Sequence, residues 1–171
     1  QLDRAALRAL AEAGALAGLS GHRHQAWWSV LGIEPETPLL AETRVTEPTP
    51  DLPAPGEGED LVSDYRSLGF TLGRHPLALL RPQLRRLRYR PASELATVGH
   101  RRIARAAGLV TNRQRPGAAG GVVFLTLEDE TGNVNVIVWP DLARRQRRIV
   151  LGARLLAVVG VWERRGDVHH L

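Results

Sequence analysis

The chain has no cysteine, no methionine and no lysine, and aromatic side chains make up only 5% of its 171 residues. Without cysteine, neither a disulfide framework nor a thiolate zinc site is available, which fits a reducing compartment such as the cytoplasm. No apolar run approaches the roughly 20 residues of a membrane span, and no signal peptide is recognisable, so no membrane partner is expected. Methionine is missing even at position 1, so the chain reads as a piece of a longer protein or a processed product. All 23 basic residues are arginine. That fits a GC-rich genome, in keeping with the abundant Ala, Gly and Pro. It also has a physical consequence, because a planar guanidinium forks onto phosphate and stacks on bases.

The net charge of +5 hides an asymmetry: residues 34–64 carry −8 and residues 65–171 carry +12. A basic module beside an acidic stretch is the footprint of a polyanion binder.

Four segments follow along the chain. Residues 1–33 read as helical, with Asp3 placed to cap the start and Ser20 to cap a second short helix after the Gly18–Gly21 break. Trp27, Val30 and Leu31 share a face there, and Trp27 is expected in a helix-packing core. Residues 34–60 are rich in Pro and acid and predict an exposed, flexible linker. Residues 61–97 form a helical connector. In it Pro76 suits a first turn, Pro82 is a potential interruption, and Leu77, Leu80, Leu84 and Leu87 form one stripe with arginines around it. Ser93 is placed to cap a short turn.

Residues 98–171 turn to β structure. Arg102–Arg113 makes a first long strand, with Gly108 permitting a bend. GVVFLTLEDETGNVNVIVWP, residues 121–140, reads as a hairpin, Val122–Leu127 and Val134–Trp139 around an Asp-x-x-Gly turn. An Arg-rich helix over Asp141–Val150, anchored by Leu142, Ile149 and Val150, precedes a strand at Leu155–Glu163. Val168–Leu171 then opens a last, truncated strand. Three strands, a helix and two strands are the order of a five-stranded OB-fold barrel. The fold class is therefore α+β: a helical piece, an acidic linker, a helical connector and a C-terminal OB-fold barrel.

Catalytic chemistry is not legible. Glu128, Asp129 and Glu130 are consecutive carboxylates, but on a hairpin turn they are expected to splay outward rather than converge on metal ions, with Asp129 accepting turn N–H groups. His169 and His170 are strand neighbours that point to opposite faces, and His22 and His24 are expected on different sides of a helix. His75 before Pro76 reads as a structural junction. No Gly-rich phosphate loop with its Lys is present. No catalytic residue, metal ligand or cofactor site is therefore assigned to these residues.

Binding chemistry is more legible. Arg113 and Arg115 fall where the first barrel loop begins, and Arg164 and Arg165 in the loop between strands four and five. In OB-folds these loops flank the face made by strands two and three. On that face Phe124 and Trp139 are candidates for base stacking, with Asn133 and Asn135 as polar neighbours. The alternative for both aromatics is packing in the barrel or under the helix that carries Arg144.

GLVTNRQRPGAAGGVVFLTLEDETGNVNVIVWP, residues 108–140, resembles the OB domain of bacterial error-prone DNA polymerases, the damage-inducible relatives of the replicative DNA polymerase III α subunit. LGFTLGRHPLALLR, residues 68–81, is similar to the segment before that domain, and LAEAGALAGL, residues 10–19, to the end of the family's helix-hairpin-helix region. The resemblance implies a C-terminal piece of a DNA-directed DNA polymerase whose Mg2+-dependent active site lies elsewhere. It further implies lesion bypass in the DNA-damage response on single-stranded or primer-template DNA. The implied partners are an inactive Y-family-like polymerase and a RecA-like accessory protein. The replicative relatives bind the sliding clamp through Gln, two variable residues, Leu and an aromatic or Leu. Here Glu36-Thr37-Pro38-Leu39-Leu40 stands in that place without the Gln, so clamp binding is not carried over. Leu39 and Leu40 remain a candidate apolar partner-binding pair. A purely protein-docking module is the rival reading. Phe124, Leu127 and Asp129 also resemble the hairpin of the anticodon-binding OB domain of aminoacyl-tRNA synthetases, a reading that the 68–81 segment opposes.

Overall fold

The computed structural model describes residues 2–33, 48, 50–166 and 168–171. The chain divides into two compact units, residues 1–73 and 74–171. The division falls inside the expected helical connector, whose first helix belongs to the first unit.

In the first unit, α1 (Arg4–Glu12) starts where its cap dictates, with the Ala6 N–H donating to Asp3 Oδ1 at 2.7 Å. α2 (Ala17–Ser20) is a single turn, and α3 (Arg23–Leu31) is capped by the His22 ring, not by Ser20. Small residues let α1 and α3 approach: Ala11, Ala26 and Val30 are buried, with Leu7 and Leu16 packed around them. Trp27 and Trp28 lie outside this core, 38% and 51% exposed. Residues 51–53 are not a free linker. The Leu52 carbonyl lies 3.0 Å from His22 Nε2, and that of Pro53 2.9 Å from His24 Nδ1, so both histidines face this segment. α4 (Glu57–Ser67) then begins inside the stretch expected to lack regular structure. Arg23 ties α3 to α4, donating to the Asp60 carbonyl at 2.8 Å and to the Asp64 carboxylate, which also accepts from Thr71 Oγ1 at 2.6 Å. The Thr71 hydroxyl, and after it the guanidinium, hold the Asp64 carboxyl below its usual range against the opposing effect of burial.

The second unit opens with α5 (Pro76–Arg86), where His75 Nδ1 accepts the Leu77 N–H at 3.1 Å. The helix runs through Pro82 without a break. Leu77 and Arg81 are buried and Leu84 is half-buried, while Leu80 and Leu87 are exposed, so only part of the expected leucine stripe packs. α6 (Ala92–Leu95) has Pro91 at its N-cap position and no side-chain cap; the Ser93 N–H donates to Thr131 Oγ1 at 3.1 Å.

Five strands follow: β1 (Arg102–Gln114), β2 (Val123–Asp129), β3 (Gly132–Val138), β4 (Leu155–Arg165) and β5 (Val168–His170). Their hydrogen-bonded order is β3-β2-β1-β4-β5. Leu171 exchanges backbone hydrogen bonds with Asn135 and Ile137, at 2.9 and 2.8 Å, which brings the far edge back to β3 and nearly closes the barrel. Alternation sends Val123, Leu125, Leu127, Val134, Val136 and Val138 inward onto Ala104, Ala106, Leu156 and Trp162. Gly108 is required by the close approach of β1 to β2: a Cβ there would stand 2.8 Å from the Glu128 oxygen and 2.9 Å from its nitrogen. Between β3 and β4 the expected single helix is two, α7 (Pro140–Arg145) and α8 (Arg147–Gly152), broken at Gln146 (φ −111°, ψ 30°). Only Val150 of the three expected anchors is buried; Leu142 and Ile149 are 39% and 53% exposed.

Candidate nucleic-acid interface

The outer face of the sheet is built by cross-strand rows. Gln114, Phe124 and Ile137 stand side by side, and so do Asn112, Thr126 and Asn135. Thr126 Oγ1 lies 3.4 Å from Asn135 Oδ1. The inward partners on β2 and β3, Asp129 apart, are apolar, so period two forces these residues out. Phe124 is 39% exposed and Trp139, just past the end of β3, is 67% exposed. Packing in the barrel or under α7, the alternative for both rings, is thereby overturned.

The four loop arginines are not equivalent. Arg113 is half-buried and its Nη2 donates to the Ala153 carbonyl at 2.7 Å, tying the end of β1 to the start of β4. Arg115 is exposed, and its Nη2 and the Pro140 ring each lie 3.7 Å from where a Cβ on Gly121 would stand, beside Trp139. Arg164 and Arg165 are not in a loop: they end β4, paired with His169 and Val168. They sit at the opposite end of β1 from Arg113, since Arg102 is the register partner of Trp162. The Arg164 N–H donates to His100 Nδ1 at 3.0 Å, and Arg101 (φ 59°) donates to the Trp162 carbonyl at 2.8 Å. Arg101, Arg102, Arg164 and Arg165 thus form one exposed basic end.

Two of the three hairpin acids do not splay outward. Asp129 is 6% exposed and its Oδ1 accepts from the N–H groups of Thr131 and Gly132, at 2.7 and 3.1 Å, and from Thr131 Oγ1 at 2.7 Å. Arg81 closes the group, with Nη2 3.0 Å from Asp129 Oδ2 and Nε 2.5 Å from Glu130 Oε1. The hydrogen bond from Arg81 holds the Glu130 carboxyl below its usual range, and Glu130 in turn raises the guanidinium above its own. Two of the three carboxylates therefore share a single internal cation, Arg81, and the group keeps a net negative charge. Glu128 stays on the outer face, its Oε1 4.0 Å from His75 Nε2. Across the β4–β5 hairpin, His169 stacks on Trp162 with centroids 5.8 Å apart, and His170 Nε2 lies 3.3 Å from Glu163 Oε2. Among the described residues no group of three or more His, Asp or Glu side chains is arranged to hold a metal ion, and no helix is long and apolar enough to cross a membrane.

Sequence reasoning missed Asn112 and Gln114 on the face and Arg101 and Arg102 at its basic end. A register shift between Val110 and Asn112 resets the alternation of β1, so simple period two assigns its last residues to the wrong side. Leu39 and Leu40 lie outside the described residues.

Residues 104–170 match the family model described as an OB-fold nucleic acid binding domain, of the tRNA anti-codon type. The error-prone DNA polymerase of Alkalilimnicola ehrlichii is 63% identical over 170 residues, 99% of this chain and 17% of its own length. That of Pseudomonas aeruginosa is 56% identical over 172 residues, 100% of this chain and 17% of its own. The chain corresponds to one segment of the error-prone DNA polymerases. A third relative, the error-prone DNA polymerase of Aromatoleum aromaticum, is 56% identical over all of this chain and 16% of its own length. The chain thus spans about a sixth of the curated relatives it matches. The barrel is the part of the chain that matches the OB-fold nucleic acid binding domain model.

Proposed function

We propose that the barrel holds single-stranded template DNA for an error-prone polymerase acting in damage-induced mutagenesis, and that this segment contributes binding, not chemistry. The observation that supports this most is the outward placement of Phe124 and Trp139 on the sheet face, at 39% and 67% exposure. An exposed aromatic face offers a base a stacking surface worth roughly 1–3 kcal/mol. Asn112, Thr126 and Asn135 supply donors and acceptors beside the rings, and Arg115, Arg164 and Arg165 meet phosphates at the two ends of the face. Arg113 is left out of that role because its guanidinium is committed to Ala153. Polymerisation and any Mg2+ belong, in this reading, to other parts of the whole enzyme.

The test is single-strand affinity of the polymerase measured across salt. The logarithm of the binding constant should fall linearly with the logarithm of salt concentration. Charge reversal of Arg115, Arg164 and Arg165 together should remove most of the affinity; affinity that survives unchanged rejects the reading.

A second reading is docking of the inactive Y-family-like polymerase partner. It is favoured by the outer face of β4 and early β1, where Ile103, Val159 and Val161 are 75%, 56% and 48% exposed. Ile103→Asp should then break a complex of the purified partners that survives nuclease treatment, and a complex indifferent to that change counts against it.

A further inference from the structure

The arginines of α7 and α8 have no place in the sheet-face site. The break at Gln146 turns one helix into two short ones, so Arg144, Arg145, Arg147 and Arg148 are all exposed. Together with Ile149 and Ala153 they line an open depression of about 760 Å³. The one acid in this segment is Asp141, and it pairs with Arg144. Among the described residues no carboxylate lies within ion-pair distance of Arg145, Arg147 or Arg148. Three guanidiniums placed so close repel one another, and no described side chain of the barrel compensates them.

The depression follows the stacking face along the chain. Trp139 is the N-cap of α7, the Arg115 guanidinium and the Pro140 ring both approach Gly121, and Arg113 holds the Ala153 carbonyl at the depression's rim. We infer that α7 and α8 form a phosphate-binding extension of the interface, so that a single strand stacked on Phe124 and Trp139 continues over the break at Gln146. This rests on the sheet-face reading above. Guanidiniums suit phosphate oxygens because they donate in bidentate pairs. Succession along the chain from exposed aromatic rings favours a nucleic acid over an acidic polypeptide, which has no bases to stack.

The test uses the full polymerase and oligonucleotides of increasing length, with Arg145, Arg147 and Arg148 changed together to Gln. All three are exposed, so folding is not at stake. For oligonucleotides long enough to pass Trp139, the slope of log affinity against log salt should shrink by about 2, roughly 0.7 for each single-strand phosphate no longer neutralised. The shortest oligonucleotides that bind should be unaffected, and Lys in place of Gln should restore most of the slope. An unchanged slope for long oligonucleotides, with Phe124→Ala still weakening binding, overturns the extension and leaves the sheet-face reading standing. Loss of polyglutamate binding with DNA binding intact also overturns it, assigning the patch to an acidic protein. A wild-type protein that binds no single strand at all overturns both.

Discussion

Arg81 of α5 and Asp129 of β2, 48 residues apart, meet at 3.0 Å with only 10% and 3% of their side chains exposed. The pair holds α5 against the hairpin. Asp129 also accepts the Ala92 N–H at 2.8 Å, so one carboxylate organises α6 as well as its own turn. Arg81→Met keeps the volume of the stem and removes the charge. Breaking a buried pair from one side leaves an uncompensated carboxylate, so the expected cost is about 3 kcal/mol. Denaturant unfolding followed by far-UV circular dichroism measures it. Arg81→Lys should recover only part, because an ammonium cannot bridge Asp129 and Glu130 as a fork does.

Acid sensitivity follows from the same group. Arg81 depresses the folded-state pKa of Glu130. A depressed carboxylate stabilises the fold above its unfolded pKa, and that stability is lost as pH falls through the folded value. The Arg81–Glu130 contribution should therefore be complete near neutrality and vanish below the ordinary glutamate range. Unfolding midpoints of Glu130→Gln and wild type, compared from pH 7 downward, should differ at neutrality and converge in acid. A constant gap would show that the ion pair contributes nothing.

Gly108 tests the packing of β1 against β2. A methyl group at that position meets backbone atoms of Glu128 at 2.8 and 2.9 Å, and backbone cannot swing aside as a flexible side chain does. Gly108→Ala should destabilise the barrel by about 1–3 kcal/mol, the usual range for overpacking. Thermal unfolding of the variant reads this directly.

Trp139 separates binding from stability. At 67% exposure it contributes little to the core. Trp139→Ala should leave the unfolding midpoint unchanged while lowering single-strand affinity about 5- to 150-fold, the equivalent of roughly 1–3 kcal/mol. Fluorescence anisotropy with a labelled oligonucleotide measures the affinity. Phe124→Ala should lower affinity too, but at 39% exposure beside Ile137 it should also lower the unfolding midpoint.

What the amino-acid sequence determined by itself is whatever depends on near neighbours. Alternation over two residues set the inward valines of β2 and β3. The Asp3 carboxylate marked the first helix start, Pro76 suited the first turn of α5, and the order of strands and helix announced the OB-fold. Each rests on backbone geometry within a few residues. Tertiary structure alone decided what depends on distant partners. Arg81 looked like one more basic residue on a leucine-striped helix until the fold brought Asp129 and Glu130 to it. Arg113, read as a phosphate ligand, is held by a carbonyl 40 residues away. Phe124 and Trp139 read by sequence more as core than as surface, because a ring's burial is set by what the rest of the barrel places over it. Closure of the barrel filled the interior with valine, leucine and Trp162 and left those two rings facing water.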